Sequence, residues 1–151
     1  MPTKLGPRRR RRRSGQALVE FALVFPIFML VLAGILDFGF MLYNRMTIIN
    51  AAREGAHSGI IVADYTTIPV IVESSVISNA ARGGITLTSS NVSIECVQTS
   101  SGSVSPPSCA WDTVIPGDSV KVTVSYAYTS FFPLFFGTTF NLSSTVQMVI
   151  G

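Results

Sequence analysis

The sequence predicts an α+β protein in which a long apolar helix near the amino terminus is followed by a small antiparallel β-sheet. Two patterns predict this fold class. Residues 17–36 are apolar except for Glu20, and residues 92–150 contain three segments in which apolar and polar residues alternate. A run of about twenty apolar residues is long enough to cross a bilayer as a helix, and a period of two is typical of half-buried strands. The sequence therefore predicts a membrane anchor joined to a small folded domain.

Residues 16–43 are predicted to form a single transmembrane helix. At about 1.5 Å per residue, twenty residues cover roughly 30 Å of hydrocarbon. In lipid all backbone polar groups must be paired within the segment, so it should be helical, with a kink at Pro26. A buried helix of a soluble protein is disfavoured, because about a hundred other residues are too few to surround it on every side.

A block of six arginines precedes this helix: Arg8, Arg9, Arg10, Arg11, Arg12 and Arg13. Basic residues beside a span stay on the cytoplasmic side. We therefore expect a single-pass protein of the cytoplasmic (inner) membrane, with its amino terminus inside and its carboxy-terminal domain outside. Residues 16–151 contain four basic and eight acidic residues, a net charge of −4. The basic character of the chain belongs to residues 1–15, and no nucleic-acid partner is expected.

Four interpretations of the first twenty residues are open from the residues alone. A cleaved secretory signal normally has a shorter apolar core and a small-residue cleavage site. A twin-arginine export signal and a nucleic-acid-binding arm are both suggested by arginine runs in general. The carboxylate of Glu20 counts against the export signals, and the adjoining membrane span counts against the nucleic-acid arm. The fourth interpretation comes from the residues that join the basic block to the apolar run.

The string SGQALVEF at residues 14–21 resembles a class III (type IV) prepilin leader, with a glycine followed by a helix whose fifth residue is glutamate. Three stretches together resemble the TadE-like pseudopilins of the tight-adherence pilus system: GQALVEFALVFP at 15–26, GILDFGFMLYNR at 34–45 and NAAREGAHSG at 50–59. The resemblance implies that a prepilin peptidase cuts between Gly15 and Gln16. It also implies that Glu20 pairs with the amino terminus of a neighbouring subunit and sets the register of assembly.

The resemblance implies a pilin-like fold and the role of a minor pseudopilin. The length of the chain and the phenylalanine at position 21, where the major pilins usually have tyrosine, favour this role over that of the fibre-forming subunit. The expected partners are the lipid bilayer, the prepilin peptidase and other pilins or pseudopilins of the same machine, and the mature chain is expected to enter a pilus. The alternative function is an uncleaved, membrane-anchored extracytoplasmic domain with a binding or structural role.

An enzymatic function is not expected. The chain has one histidine, no glycine-rich phosphate-binding loop and no cluster of metal-ligand residue types. Phosphoryl transfer, metal-assisted hydrolysis and nucleophile–histidine catalysis therefore lack their usual residues. No cofactor, metal or small-molecule substrate is predicted.

Residues 44–63 are predicted to form an extracytoplasmic helical stem, because apolar residues recur there at helical spacing. Gly55 and Gly59 lie four residues apart on this helix. They indicate close packing against another element of the same chain, or alternatively a face for dimerisation. Asp37 is expected to mark the outer edge of the membrane, with a contact to a partner subunit as the second interpretation.

Residues 64–151 are predicted to form an α+β domain. Its short second helix covers residues 65–82, with Thr66 or Thr67 as the cap, although a strand is an alternative for VIVESSVI. Three strands follow, around residues 92–97, 120–127 and 142–150, and Pro116-Gly117-Asp118 forms a turn before the second strand. One face of the sheet should pack on a helix.

Two features of this domain are candidate sites. Cys96 and Cys109 bracket a loop, and on the outer side of a membrane two cysteines are expected to form a disulfide rather than a metal site. The second feature is an aromatic stretch between the second and third strands, formed by Phe131, Phe132, Leu134, Phe135 and Phe136. These side chains are predicted either to fill the core or to form a patch that contacts the membrane or a partner.

Overall fold

The protein folds as one long helix, a second helix and a three-stranded antiparallel sheet, which confirms the α+β fold class. The computed structural model describes residues 14–98, 109–133 and 137–151. The chain divides into two compact units, Met1–Leu36 and Asp37–Gly151.

Helix α1 extends from Ser14 to Ile60 without interruption and contains Pro26. In the first unit its side chains from Ala17 to Leu32 are all exposed, as expected for a helix whose surroundings are lipid. In the second unit α1 contributes Ile48, Ala51, Ala52 and Ala56 to the core. The sequence correctly predicted that the helix continues beyond its apolar run.

Helix α2 extends from Ile68 to Arg82 and buries one stripe of its surface. Its buried residues are Ile68, Val72, Val76 and Ala80, which recur at the three- and four-residue spacing of one helical face. A 3₁₀ turn at Tyr65–Thr67 precedes it, and the carboxylate of Asp64 caps that turn by accepting a hydrogen bond from the Thr66 N–H. The strand alternative for this segment is therefore wrong.

The sheet consists of β1 at Val92–Val97, β2 at Ser119–Thr129 and β3 at Thr139–Val149, with β2 in the centre. Both pairs are antiparallel, and the register of β2 with β3 is regular from Ser119↔Val149 to Thr129↔Thr139. The turn that enters β2 contains Gly117 at a φ of +101°, where a side chain would be strained.

Each strand has one buried and one exposed face. Val120, Val122 and Val124 are fully buried in the core formed with α1 and α2. On the opposite face Lys121 pairs with Glu95 at 2.8 Å. The apolar side of the sheet therefore faces the helices, as the alternation predicted.

Candidate functional site

The first group of predicted site residues lies at the start of α1. Gly15, Gln16 and Glu20 are all exposed within the helix, while the six arginines lie outside the described residues. Glu20 has no hydrogen-bond or ion-pair partner among the described residues. It is also the one charged residue between positions 14 and 36.

A second site, which the sequence did not predict, is centred on Asp37 of α1. This carboxylate is buried, at 5% exposure, and it accepts three hydrogen bonds from the far end of β2. The Tyr128 hydroxyl donates to Oδ1 at 2.5 Å, and the Phe131 N–H donates to the same oxygen at 3.3 Å. The Ser130 hydroxyl donates to Oδ2. We call Asp37, Tyr128, Ser130 and the Phe131 N–H the Asp37 junction.

The electrostatics of the junction explain why its donors are arranged in this way. A buried carboxylate is costly unless hydrogen bonds replace its hydration. Burial, together with the hydrogen bond to Asp37 and its negative charge, raises the pKa of Tyr128 from 10.0 to about 12. The phenol therefore keeps its proton at any physiological pH and remains a donor. The junction ties the end of β2 to α1.

Neither sequence interpretation of Asp37 includes a contact within the chain. The structure shows one, because the hydrogen-bond partners of Asp37 lie 91 to 94 residues later in the same chain. A signal was present in the sequence. A lone carboxylate at the end of an apolar run needs donors, and the segment YAYTS at 126–130 supplies hydroxyl groups at the end of a strand.

The aromatic stretch follows the junction directly. Phe131 is 66% exposed and Phe132 40% exposed, so the core-filling interpretation is wrong for these two side chains. The Phe131 ring lies 5.3 Å from the ring of Phe40 on α1, centroid to centroid. Leu134, Phe135 and Phe136 lie outside the described residues.

The cysteines form the disulfide that the sequence predicts. Cys96 on β1 is bonded to Cys109, with 5.3 Å between their Cα atoms. The Asp118 carboxylate lies within 4.8 Å of both sulfur atoms. Because the sulfurs are bonded to each other, they do not offer the thiolates that a metal ion would need.

Among the comparisons with known proteins, the match falls on the helix that carries Glu20 and Asp37. Residues 15–57 match a family model described as TadE-like protein. This segment is TadE-like. No curated protein and no solved structure matches the chain.

The TadE-like segment lies entirely within α1 and confirms the resemblance seen in the sequence. In the part of the chain that the structure describes, α1 is the one helix that is long and apolar enough to cross a membrane. The family match suggests a pilus-associated membrane protein, and the apolar helix suggests an amino-terminal membrane anchor. Asp37 lies inside the TadE-like segment, whereas Tyr128 and Ser130 lie outside it.

Proposed function

We propose that this protein is a minor pseudopilin that contributes to the assembly of a tight-adherence-type pilus or secretion apparatus. It enters the cytoplasmic membrane with its arginine-rich leader inside, and prepilin peptidase cuts it between Gly15 and Gln16. The mature helix then packs against the helices of other pilin-type subunits. The role is structural rather than catalytic.

Glu20 is the observation that carries this proposal. A carboxylate within an apolar helix is expensive in hydrocarbon, and at the centre of a span the cost is about 2.5–3.5 kcal/mol on insertion scales. The structure leaves this carboxylate exposed on α1. An ammonium group at a neighbouring amino terminus would satisfy it, and cleavage before Gln16 supplies such a group on each subunit.

The cleavage site has a structural requirement of its own. Gly15 and Gln16 lie in the first turn of α1, which begins at Ser14. A protease cleft takes an extended backbone, so this turn must open before cleavage. Glycine lowers helix stability by about 1 kcal/mol relative to alanine, and the first turn has few backbone hydrogen bonds, so opening at Gly15 is inexpensive.

Processing is tested by mass spectrometry of the amino terminus after extraction from membranes. The chain is expressed with and without an active prepilin peptidase. We expect a chain that begins at Gln16, with or without cyclisation of the glutamine, when the peptidase is active. A leader that persists under both conditions would instead favour the uncleaved membrane anchor.

Assembly is tested with Glu20→Ala in cells that express a complete tight-adherence apparatus. We expect normal insertion and cleavage but a loss of cross-linked complexes with other pilin-type subunits. Glu54→Ala is the matched control, because Glu54 is an exposed glutamate on the same helix outside the apolar run. Equal cross-linking of the Glu20→Ala chain and the wild type would overturn the assigned role of Glu20.

A further inference from the structure

We propose that the exposed aromatic side chains beside the Asp37 junction dock on the lipid surface and give the outer domain a second point of contact with the membrane. The surface consists of Phe131 and Phe132, which follow β2, and Phe40 on α1. We call it the aromatic foot. The proposal depends on membrane insertion of α1 and is independent of any role in a pilus.

Two things fix the position of the foot. Phe40 is placed by helix α1, and the stretch that holds Phe131 and Phe132 is placed by hydrogen bonds to Asp37. Residues 21–36 carry no charge, and Asp37 is the next residue of the same helix. Ser130 and the Phe131 N–H are hydrogen-bonded to the Asp37 carboxylate. The foot therefore lies beside Asp37, the first charged residue after the uncharged run of α1.

The chemistry of the foot fits an interface between hydrocarbon and water. Phe131 and Phe132 are 66% and 40% exposed, and Phe40 is 51% exposed. Aromatic side chains exposed together beside a membrane span are typical of membrane contact. Arg45, eight residues beyond Asp37 on α1, is exposed as well.

The charge distribution favours lipid over a charged protein partner. No residue from 122 to 151 carries a charged side chain, so the strand ends next to the foot offer neither ion pairs to a protein nor repulsion of lipid headgroups. The membrane is also always present, since α1 anchors the domain next to it. The Asp37 junction is thus a positioning site that aims two phenylalanines at the bilayer.

The test uses tryptophan fluorescence of the full-length chain in vesicles of phosphatidylcholine brominated near the glycerol end of the acyl chains. Trp111 is the one natural tryptophan, so all variants carry Trp111→Phe. We expect the Phe131→Trp variant to lose most of its emission in brominated lipid and, in unbrominated vesicles, to emit at shorter wavelength than the Ile115→Trp variant. Phe28→Trp, in the apolar run, reports that the helix has inserted.

Ile115→Trp is the matched control, because Ile115 is 50% exposed and precedes β2, at the opposite end of this strand from Phe131. We expect no quenching of this variant. If Phe131→Trp is as weakly quenched as Ile115→Trp while Phe28→Trp is quenched, lipid is not the occupant of the foot and the proposal is overturned. Weak quenching of Phe131→Trp is also what a foot that binds a protein partner would give, because the vesicles contain no other protein.

The positioning role of Asp37 is tested by adding Asp37→Ala to the Phe131→Trp variant. We expect quenching to weaken, and Asp37→Asn, which retains an acceptor oxygen, to restore part of it. Circular dichroism shows whether each variant is folded. Unchanged quenching in a folded Asp37→Ala chain would show that the foot reaches the bilayer without the junction.

Discussion

The Asp37 carboxylate illustrates how one charged residue is made compatible with a buried position. Three donors from a short stretch of chain surround it, and two of them belong to side chains that are themselves about 5% exposed. Hydrogen bonds to charged groups contribute about 1.5–3 kcal/mol each, more than neutral ones. A buried charge that loses a donor is left partly uncompensated, which is why single changes here should be severe.

Tyr128→Phe should therefore destabilise the second unit, Asp37–Gly151. The change removes one hydroxyl donor from the carboxylate and keeps the ring, and we expect a loss of about 1–3 kcal/mol in the free energy of unfolding. Denaturant unfolding in detergent micelles measures this loss. Tyr126→Phe is the control, since Tyr126 lies on the same strand, is half-buried and makes no hydrogen bond through its hydroxyl to the described residues. Equal stability of the two variants would show that the junction contributes little.

The Tyr128 phenol should also make the free energy of unfolding depend on pH in the alkaline range. Burial and Asp37 hold the pKa of Tyr128 at about 12 in the folded chain, against 10.0 for an ordinary tyrosine. Between these values the unfolded chain has released the proton and the folded chain has kept it, so stability falls as pH rises through this window. We expect the wild type to lose more stability there than Tyr128→Phe. Parallel pH profiles for the two proteins would contradict the assignment.

At the scale of elements, the packing of α1 on α2 depends on two glycines. A Cβ atom at Gly55 would overlap a methyl group of Val76 and lie 3.3 Å from the Val72 carbonyl oxygen. A Cβ atom at Gly59 would lie 2.6 Å from a methyl group of Val72. The two helices approach closely because these positions have no side chain. The sequence interpretation of packing within the chain is therefore confirmed, and α2 covers the face that a dimer would need.

Gly55→Ala should consequently destabilise the protein, although alanine favours helices. The gain in helix propensity is at most about 1 kcal/mol, whereas overpacking costs about 1–3 kcal/mol, so we expect a net loss. Thermal unfolding followed by circular dichroism measures the difference. Gly39→Ala on the same helix is the control, because a Cβ there meets nothing within 4 Å and should be neutral or stabilising. A stabilised Gly55→Ala variant would mean that the helices separate easily.

Most elements could be predicted from local pattern, and the exceptions have local causes. The pattern predicts a helix from residue 65, whereas the structure has a 3₁₀ turn at Tyr65–Thr67 and begins α2 at Ile68. Thr67 is the N-cap residue of α2 but makes no side-chain capping bond, and Asp64 caps the 3₁₀ turn. Strand β3 begins at Thr139, three residues earlier than predicted, although the alternation of polar and apolar residues already includes Phe140. The pairing of Asp37 with Tyr128, in contrast, could not be predicted from any local pattern. The two residues are 91 positions apart, and no periodicity in either segment indicates that they meet.

At the scale of the molecule, charge and covalent bonds are distributed unequally along the chain. The basic residues are concentrated before Ser14, and residues 122–151 have no charged side chain. The disulfide joins β1 to the segment that leads into β2, at the other end of that strand from the Asp37 junction. In the second unit a covalent bond thus lies near the start of the central strand β2, and the hydrogen bonds of the Asp37 junction lie at its end.

Removal of the disulfide should lower stability by an amount set mainly by the loop it closes. Cys96 and Cys109 are separated by 13 positions, and in the chain-entropy model a loop of this size contributes about 3 kcal/mol. We expect the double variant Cys96→Ala/Cys109→Ala to lose about that much in denaturant unfolding. Added reductant should lower the stability of the wild type and leave the double variant unchanged.

If the disulfide is absent from the mature protein, a non-reducing gel will show no mobility change and mass spectrometry will find two free thiols. Since oxidation at these cysteines requires the outer side of the membrane, that result would also contradict the orientation proposed from the arginine block.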